Sequence, residues 1–200
     1  MIIYVIIVVI LLLNFICIQN LNSIGKYYYK HPIHIYDVGF KYLPDLHKYA
    51  YLSDVIVILG CLCLFIPGIF LPFLYLIIPI WLIRFITSTV TVLPKIINCN
   101  IKSNIYSTIF GGCYDKIFSG HFSILFVITL LLLEKSYISL LTTIVINLLH
   151  GLFIIAVRNH YTIDVVVSFF VTLCVYQFIN THKSFIQFIY KHIVPVTNKL

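Results

Sequence analysis

The chain has 200 residues, of which 62% are hydrophobic and only 10% charged, with a mean hydropathy of +1.07. Soluble domains are about a quarter charged, so this composition excludes a water-soluble fold and leaves room for one membrane-embedded domain. The net charge of +7 comes from thirteen Lys and Arg spread along connecting segments, with no dense basic run, which points to lipid head groups and not to nucleic acid.

In chain order, apolar runs broken by polar or Pro/Gly clusters predict an all-α fold, a polytopic membrane helix bundle of six transmembrane helices, with five as the alternative. The first, near 2–19, has no basic start and no small-residue cleavage site, so it reads as a retained helix and not as a signal peptide. The second and third, near 53–66 and 70–93, are divided by a tight turn at Pro67-Gly68, while Pro72 and Pro79 are expected to kink the third without ending it. The remaining helices fall near 120–134, 137–157 and 160–179. Residues 180–200 read as a cytosolic tail in which Phe185, Phe188 and Ile189 beside Lys183, Lys191 and His192 fit a short interfacial helix. The chain shows no internal repeat, and its length has room for one compact bundle, so residues 1–200 are expected to form a single transmembrane domain.

Of the six cysteines, Cys17, Cys61, Cys63 and Cys174 sit inside predicted spans as small apolar residues. Cys99 and Cys113 share one connecting segment and can pair if that segment faces an oxidising lumen. With six helices, the 20–52 segment, the 94–119 segment and the turn at Arg158 share one face. Lys26, Lys30, Lys41, Lys48, Lys95, Lys102, Lys116 and Arg158 lie there, against Lys135, Lys183, Lys191 and Lys199 on the other. Taken alone, the positive-inside rule puts the first face in the cytoplasm.

Two segments carry the chemistry. Gly111-Gly112-Cys113-Tyr114-Asp115-Lys116-Ile117-Phe118-Ser119-Gly120-His121 leads into the fourth helix, and Arg158-Asn159-His160-Tyr161-Thr162-Ile163-Asp164-Val165 opens the sixth. Helices four and five form a hairpin, so the N-termini of helices four and six reach the same face, with His121 and His160 at similar depth. His160 and Asp164 stand at i and i+4 on one helical face, where a hydrogen bond would fix the imidazole tautomer, stabilise its cation and leave the other ring nitrogen free to attack. Phosphoryl transfer needs a nucleophile, a proton donor for the leaving oxygen and positive groups for the non-bridging oxygens. His160, His121 and the nearby Lys116 and Arg158 supply these without metal or cofactor. Three ligands, His121, His160 and Asp164, are thin for zinc, which usually draws on further His or Cys. Isolated histidines such as His31, His34, His47, His150, His182 and His192 read as interfacial polar residues.

Cys113-x-Asp115-x-x-Phe118-Ser119-Gly120-His121 and His160-Tyr161-Thr162-x-Asp164-Val165 resemble the two catalytic motifs of sphingomyelin synthases and related ceramide phosphotransferases, within the lipid phosphate phosphatase (PAP2-like) superfamily. Leu43-Pro44-Asp45 looks like that family's Pro-rich first motif, and Arg84-x-Ile86-Thr87-x-x-Val90-Thr91-x-Leu93-Pro94 like its second. The resemblance departs from the pattern at Tyr114, where the family has Gly, at Phe122, where it has Thr, at Lys41-Tyr42 in place of a further Pro pair, and at the single Arg84 in place of an Arg pair. It implies transfer of a phospho-head group, phosphocholine or phosphoethanolamine, from a phospholipid donor to ceramide with release of diacylglycerol. His160, assisted by Asp164, would form a phospho-histidine, and His121 would serve as acid and then base. Arg84, Asp115, Ser119 and Tyr161 are the candidate substrate-binding residues, Asp115 and Tyr161 by position beside the histidines. The resemblance also implies a Golgi or plasma membrane location with the site luminal or exoplasmic, opposite to the charge rule. A lipid phosphatase using water, or a non-catalytic membrane scaffold, are the alternative functions.

Overall fold

The computed structural model describes residues 2–31, 33, 35–96 and 113–182. Cys99 and the expected interfacial tail past His182 lie outside the described residues. Among the described residues there are seven α-helices: α1 (Ile2–Tyr28), α2 (Val38–Tyr42), α3 (Tyr51–Cys61), α4 (Phe70–Val90), α5 (Gly120–Glu134), α6 (Leu140–Ala156) and α7 (Thr162–Thr181). Short 3-10 turns at His47–Tyr49 and Leu62–Phe65 extend α3 at both ends.

Three of these stretches, His47–Phe65, Phe70–Val90 and Thr162–Thr181, are long and apolar enough to cross a membrane, and α5 and α6 are shorter apolar helices. The described residues form an all-helical, polytopic membrane bundle. Its 15-residue α5 is only about 22 Å long at 1.5 Å per residue, less than the hydrocarbon thickness. Its position explains how that is tolerated. Phe122, Ser123 and Leu125 through Leu132 are all buried, so α5 is the central helix, and protein surrounds most of its length.

On one side of α5, Val127, Ile128, Leu131 and Leu132 pack with Phe73, Leu74, Ile77 and Ile80 of α4. On the other, Phe122, Phe126 and Leu130 pack with Ile154 and Ile155 of α6 and Val165 of α7. The turn at Pro67-Gly68 is present, with Gly68 at φ +82, a left-handed conformation that a side chain would strain. Pro79 lies inside α4 without ending it, and Pro72 falls in the first turn, where its missing N–H interrupts no helical bond.

Two features go beyond the sequence reading. The first helix continues past Gln19 to Tyr28, because Asn20, Asn22 and Ser23 are tolerated as the helix leaves the apolar layer. The connection to α3 contains α2, whose N-cap Asp37 accepts a hydrogen bond from Phe40 N at 3.0 Å.

Helix α1 packs on α4 and meets the loop before α5 through Gly25. The Tyr114 ring lies where a Gly25 side chain would be, and stacks on Tyr29 with centroids 6.2 Å apart. Tyr114, a departure from the family motif, thus fills a notch in α1. Gly25→Val should force this contact apart and destabilise the folded protein by about 1–3 kcal/mol of overpacking, read as a lowered melting temperature in detergent. An unchanged melting temperature would show that α1 does not pack here.

Candidate active site

The site is organised on one carboxylate. Asp164, in the first turn of α7, is fully buried (0% exposed). Its Oδ2 accepts from His160 Nδ1 at 3.0 Å and from Tyr161 N at 2.9 Å, and its Oδ1 accepts from Ile117 N at 2.8 Å. A buried carboxylate is tolerated only when hydrogen bonds replace its water, and these three also fasten the 113–119 loop to the start of α7. Ile117 takes φ +78, a left-handed conformation costly for a β-branched residue, and its N–H points at Asp164 in that geometry. The Asp164 carbonyl accepts from Ser168 Oγ at 2.6 Å, and Ser168 Oγ in turn accepts from Ser119 N at 2.6 Å.

The i, i+4 hydrogen bond between His160 and Asp164 is therefore present. Because a carboxylate only accepts, Nδ1 carries the hydrogen and Nε2 holds the free lone pair. The expected stabilisation of the cation does not follow. Burial disfavours the charged ring and lowers the His160 pKa to about 4, overriding the Asp164 bond that favours the cation, while the Lys116 charge adds to the lowering. His160 is accordingly a neutral imidazole at physiological pH, the form that can attack.

His121, in the first turn of α5, is close enough for its charge to act on the His160 ring. Its Nε2 is 2.6 Å from Asp54 Oδ1 on α3, with side chains 13% and 14% exposed. Sequence reasoning missed Asp54, although an acid within an apolar span was the available signal. A further contact brings the two histidine–carboxylate pairs together. Asn159, beside His160, donates its Nδ2 to Ser53 Oγ at 2.5 Å, beside Asp54.

The other sequence candidates take protein partners. Arg84 of α4 pairs with Asp115, both buried, tying the loop to α4. Ser119 is the N-cap of α5, accepting from Phe122 N at 3.3 Å, and is fully buried. The Tyr161 hydroxyl donates to Pro94 O at 3.2 Å, its ring stacks on Phe40 with centroids 5.4 Å apart, and burial raises its pKa to about 12. Lys116 is buried and donates from Nζ to Asn159 O at 2.7 Å; burial lowers its pKa, opposed by the charges of Asp164 and Asp115. Arg158 is partly engaged by the scaffold, while its Nη1 is buried without a hydrogen-bond partner. Its Nη2 donates to Phe40 O and Leu43 O, both at 3.1 Å, and the guanidinium lies 4.4 Å over the Phe40 ring. Asp37, also unforeseen, accepts from Thr162 N at 2.8 Å and Thr162 Oγ1 at 2.7 Å, so the α2 segment is clamped across the start of α7.

Cys113 is disulfide-bonded; Cys99, the partner expected from sequence, lies outside the described residues. Among the described residues, no three or more His, Cys, Asp or Glu side chains are grouped to hold a metal ion.

These features bring two histidine–carboxylate pairs together near the helix N-termini of the bundle, an arrangement suited to phosphate ester chemistry. Residues 112–182 match the family model described as PAP2 superfamily C-terminal. The matched segment carries His121, His160 and Asp164, while Asp54 and Arg84 lie ahead of it. No curated protein matches the chain.

Titration of histidine ring protons by NMR should place the His160 midpoint at about pH 4, with the ring neutral from pH 8 down to about 5. A midpoint near 6.5, the ordinary histidine value, would contradict the buried environment described.

Proposed function

We propose that the protein is a sphingomyelin synthase-like phosphotransferase that moves a phospho-head group, phosphocholine or phosphoethanolamine, from a glycerophospholipid to ceramide and releases diacylglycerol. The observation that carries the reading is the His160–Asp164 pair: a buried, neutral imidazole whose Nδ1–H is held by a carboxylate and whose Nε2 lone pair is free. In the first half-reaction, His160 Nε2 attacks phosphorus, the bond to the glyceride oxygen breaks, and the head group is held as a phospho-histidine. His121, its Nε2–H directed at Asp54, delivers a proton from Nδ1 to the departing oxygen and becomes neutral. In the second half-reaction, His121 Nδ1 takes the proton of the ceramide primary hydroxyl, whose oxygen attacks phosphorus. The P–N bond then breaks and its electron pair returns to His160 Nε2, so both histidines regain their starting states.

Transfer is preferred to hydrolysis because the nucleophile is secluded: the His160 side chain is 8% exposed and that of Asp164 0%. Excluding water protects a covalent intermediate until a lipid hydroxyl arrives. The sequence resemblance to sphingomyelin synthases supports the same choice. Lys116, deep in the site and near both Asp164 and Asp115, is the side chain best placed to add positive charge for phosphate oxygens. Arg84, Asp115, Ser119 and Tyr161 shape the substrate site by holding its loop and helix ends. The disulfide at Cys113 supports a luminal or exoplasmic site, as in Golgi or plasma membrane, over the cytoplasmic face that the charge rule favours.

Purified protein in liposomes, given fluorescent ceramide with phosphatidylcholine or phosphatidylethanolamine, is expected to form a phosphosphingolipid, and His160→Ala should lose at least about a thousandfold in rate. Release of the free phospho-head group and diacylglycerol, with no phosphosphingolipid formed, would establish hydrolysis, the lipid phosphatase alternative. Full activity in His160→Ala would remove it as nucleophile.

A further inference from the structure

One buried histidine takes no part in the chemistry above. His150 of α6 is 4% exposed and neither of its ring nitrogens has a hydrogen-bond partner. About one turn earlier on the same face, Asn147 donates from Nδ2 to Thr129 Oγ1 and to Thr143 O, both at 2.7 Å, while its Oδ1 is buried without a partner. Buried polar atoms in native proteins are almost always satisfied, and at membrane depth no bulk water stands in. Polar side chains buried inside a bundle therefore mark a place where something polar binds.

The location suits a substrate. His150 lies roughly 9 Å below the end of α6 at Ala156, counting 1.5 Å per residue, and His121 is near enough for the two rings to interact electrostatically. Its ring stacks on Phe122, the residue after His121, with centroids 6.3 Å apart and planes 9° from parallel. Helix α3 packs mainly on α5 and touches α6 lightly.

The chemistry of the open positions narrows the ligand. A neutral imidazole presents one donor and one acceptor, and Asn147 Oδ1 presents a second acceptor. The complement is a group with two donors and an acceptor close together, such as a secondary amide N–H beside a hydroxyl. A diester glycerolipid backbone offers ester acceptors and no such pair of donors.

We infer that His150 and Asn147 form a specificity subsite that reads the amide and secondary hydroxyl of the acceptor lipid while its primary hydroxyl lies at His121. This rests on the transferase reading above. It makes the α5–α6 seam the element that separates an amide-bearing acceptor from a diacylglycerol, whose primary hydroxyl would otherwise serve equally well.

The test measures kcat/KM for transfer from one labelled phospholipid donor to ceramide and to 1,2-diacylglycerol, in liposomes, for the wild type, His150→Leu, Asn147→Leu and His150→Gln. The ratio of the two kcat/KM values is insensitive to general damage, which lowers both. In each Leu variant the ratio should fall about tenfold, mainly through a raised ceramide KM, as expected for the loss of one or two buried hydrogen bonds. His150→Gln, which keeps a donor and an acceptor, should recover most of it. An unchanged ratio in the Leu variants, or no recovery in His150→Gln, would overturn the subsite and leave the transferase reading intact. A wild-type protein that cleaves the donor but transfers to neither acceptor would overturn the transferase reading, and the subsite with it.

Discussion

The carboxylate of Asp164 is the constraint on which the rest of the site depends. A carboxylate with no exposure would protonate or unfold its surroundings unless donors replaced its lost hydration. Here they come from three directions: the His160 ring, the Tyr161 amide at the start of α7, and the Ile117 amide from the loop before α5. Its place in the first turn of α7 adds the favourable field of the helix N-terminus. One group therefore assembles two distant stretches of chain and sets the tautomer of the imidazole beside it. The left-handed backbone at Ile117 is the local strain that accompanies this arrangement.

Burial and the Asp164 hydrogen bond compete at His160. At His160 burial wins, keeping the ring neutral and nucleophilic. His121 contacts Asp54 directly through Nε2, which leaves Nδ1 for the acid and base role proposed for this ring. The Asn159–Ser53 hydrogen bond joins the residues next to both pairs and so ties the positions of His160 and His121 to one another. Arg158 and Asp37 perform the same service one layer out, clamping the α2 segment over the start of α7. Such support is what phosphoryl transfer requires, because positioning supplies much of its catalysis.

Much of this was legible in the sequence, for physical reasons. Apolar runs report membrane helices because lipid enforces them, and i, i+4 spacing reports the His160–Asp164 contact because helix geometry is local. What escaped was long-range. Asp54 meets His121 across an α3–α5 packing that no local spacing encodes, and only its cost inside an apolar span could have flagged it. Arg158 reads as a phosphate ligand from its place beside His160, yet it turns back to the Phe40 and Leu43 carbonyls because the α2 segment, a broken stretch with little periodicity, folds over it. Arg84 and Asp115, proposed separately as substrate contacts, turn out to be each other's partner. The His160 cation expected from its carboxylate neighbour was outweighed by burial, a quantity that becomes available only once the bundle is assembled.

The most direct test of the account is to trap the covalent intermediate. The protein is incubated with a phospholipid donor in the absence of any acceptor, and peptides are mapped by mass spectrometry under alkaline conditions that preserve phospho-histidine. The account predicts a phospho-head-group adduct on His160 that disappears when ceramide is added and never forms in His160→Ala. An adduct on His121 instead, or donor turnover with no adduct on His160, would contradict it.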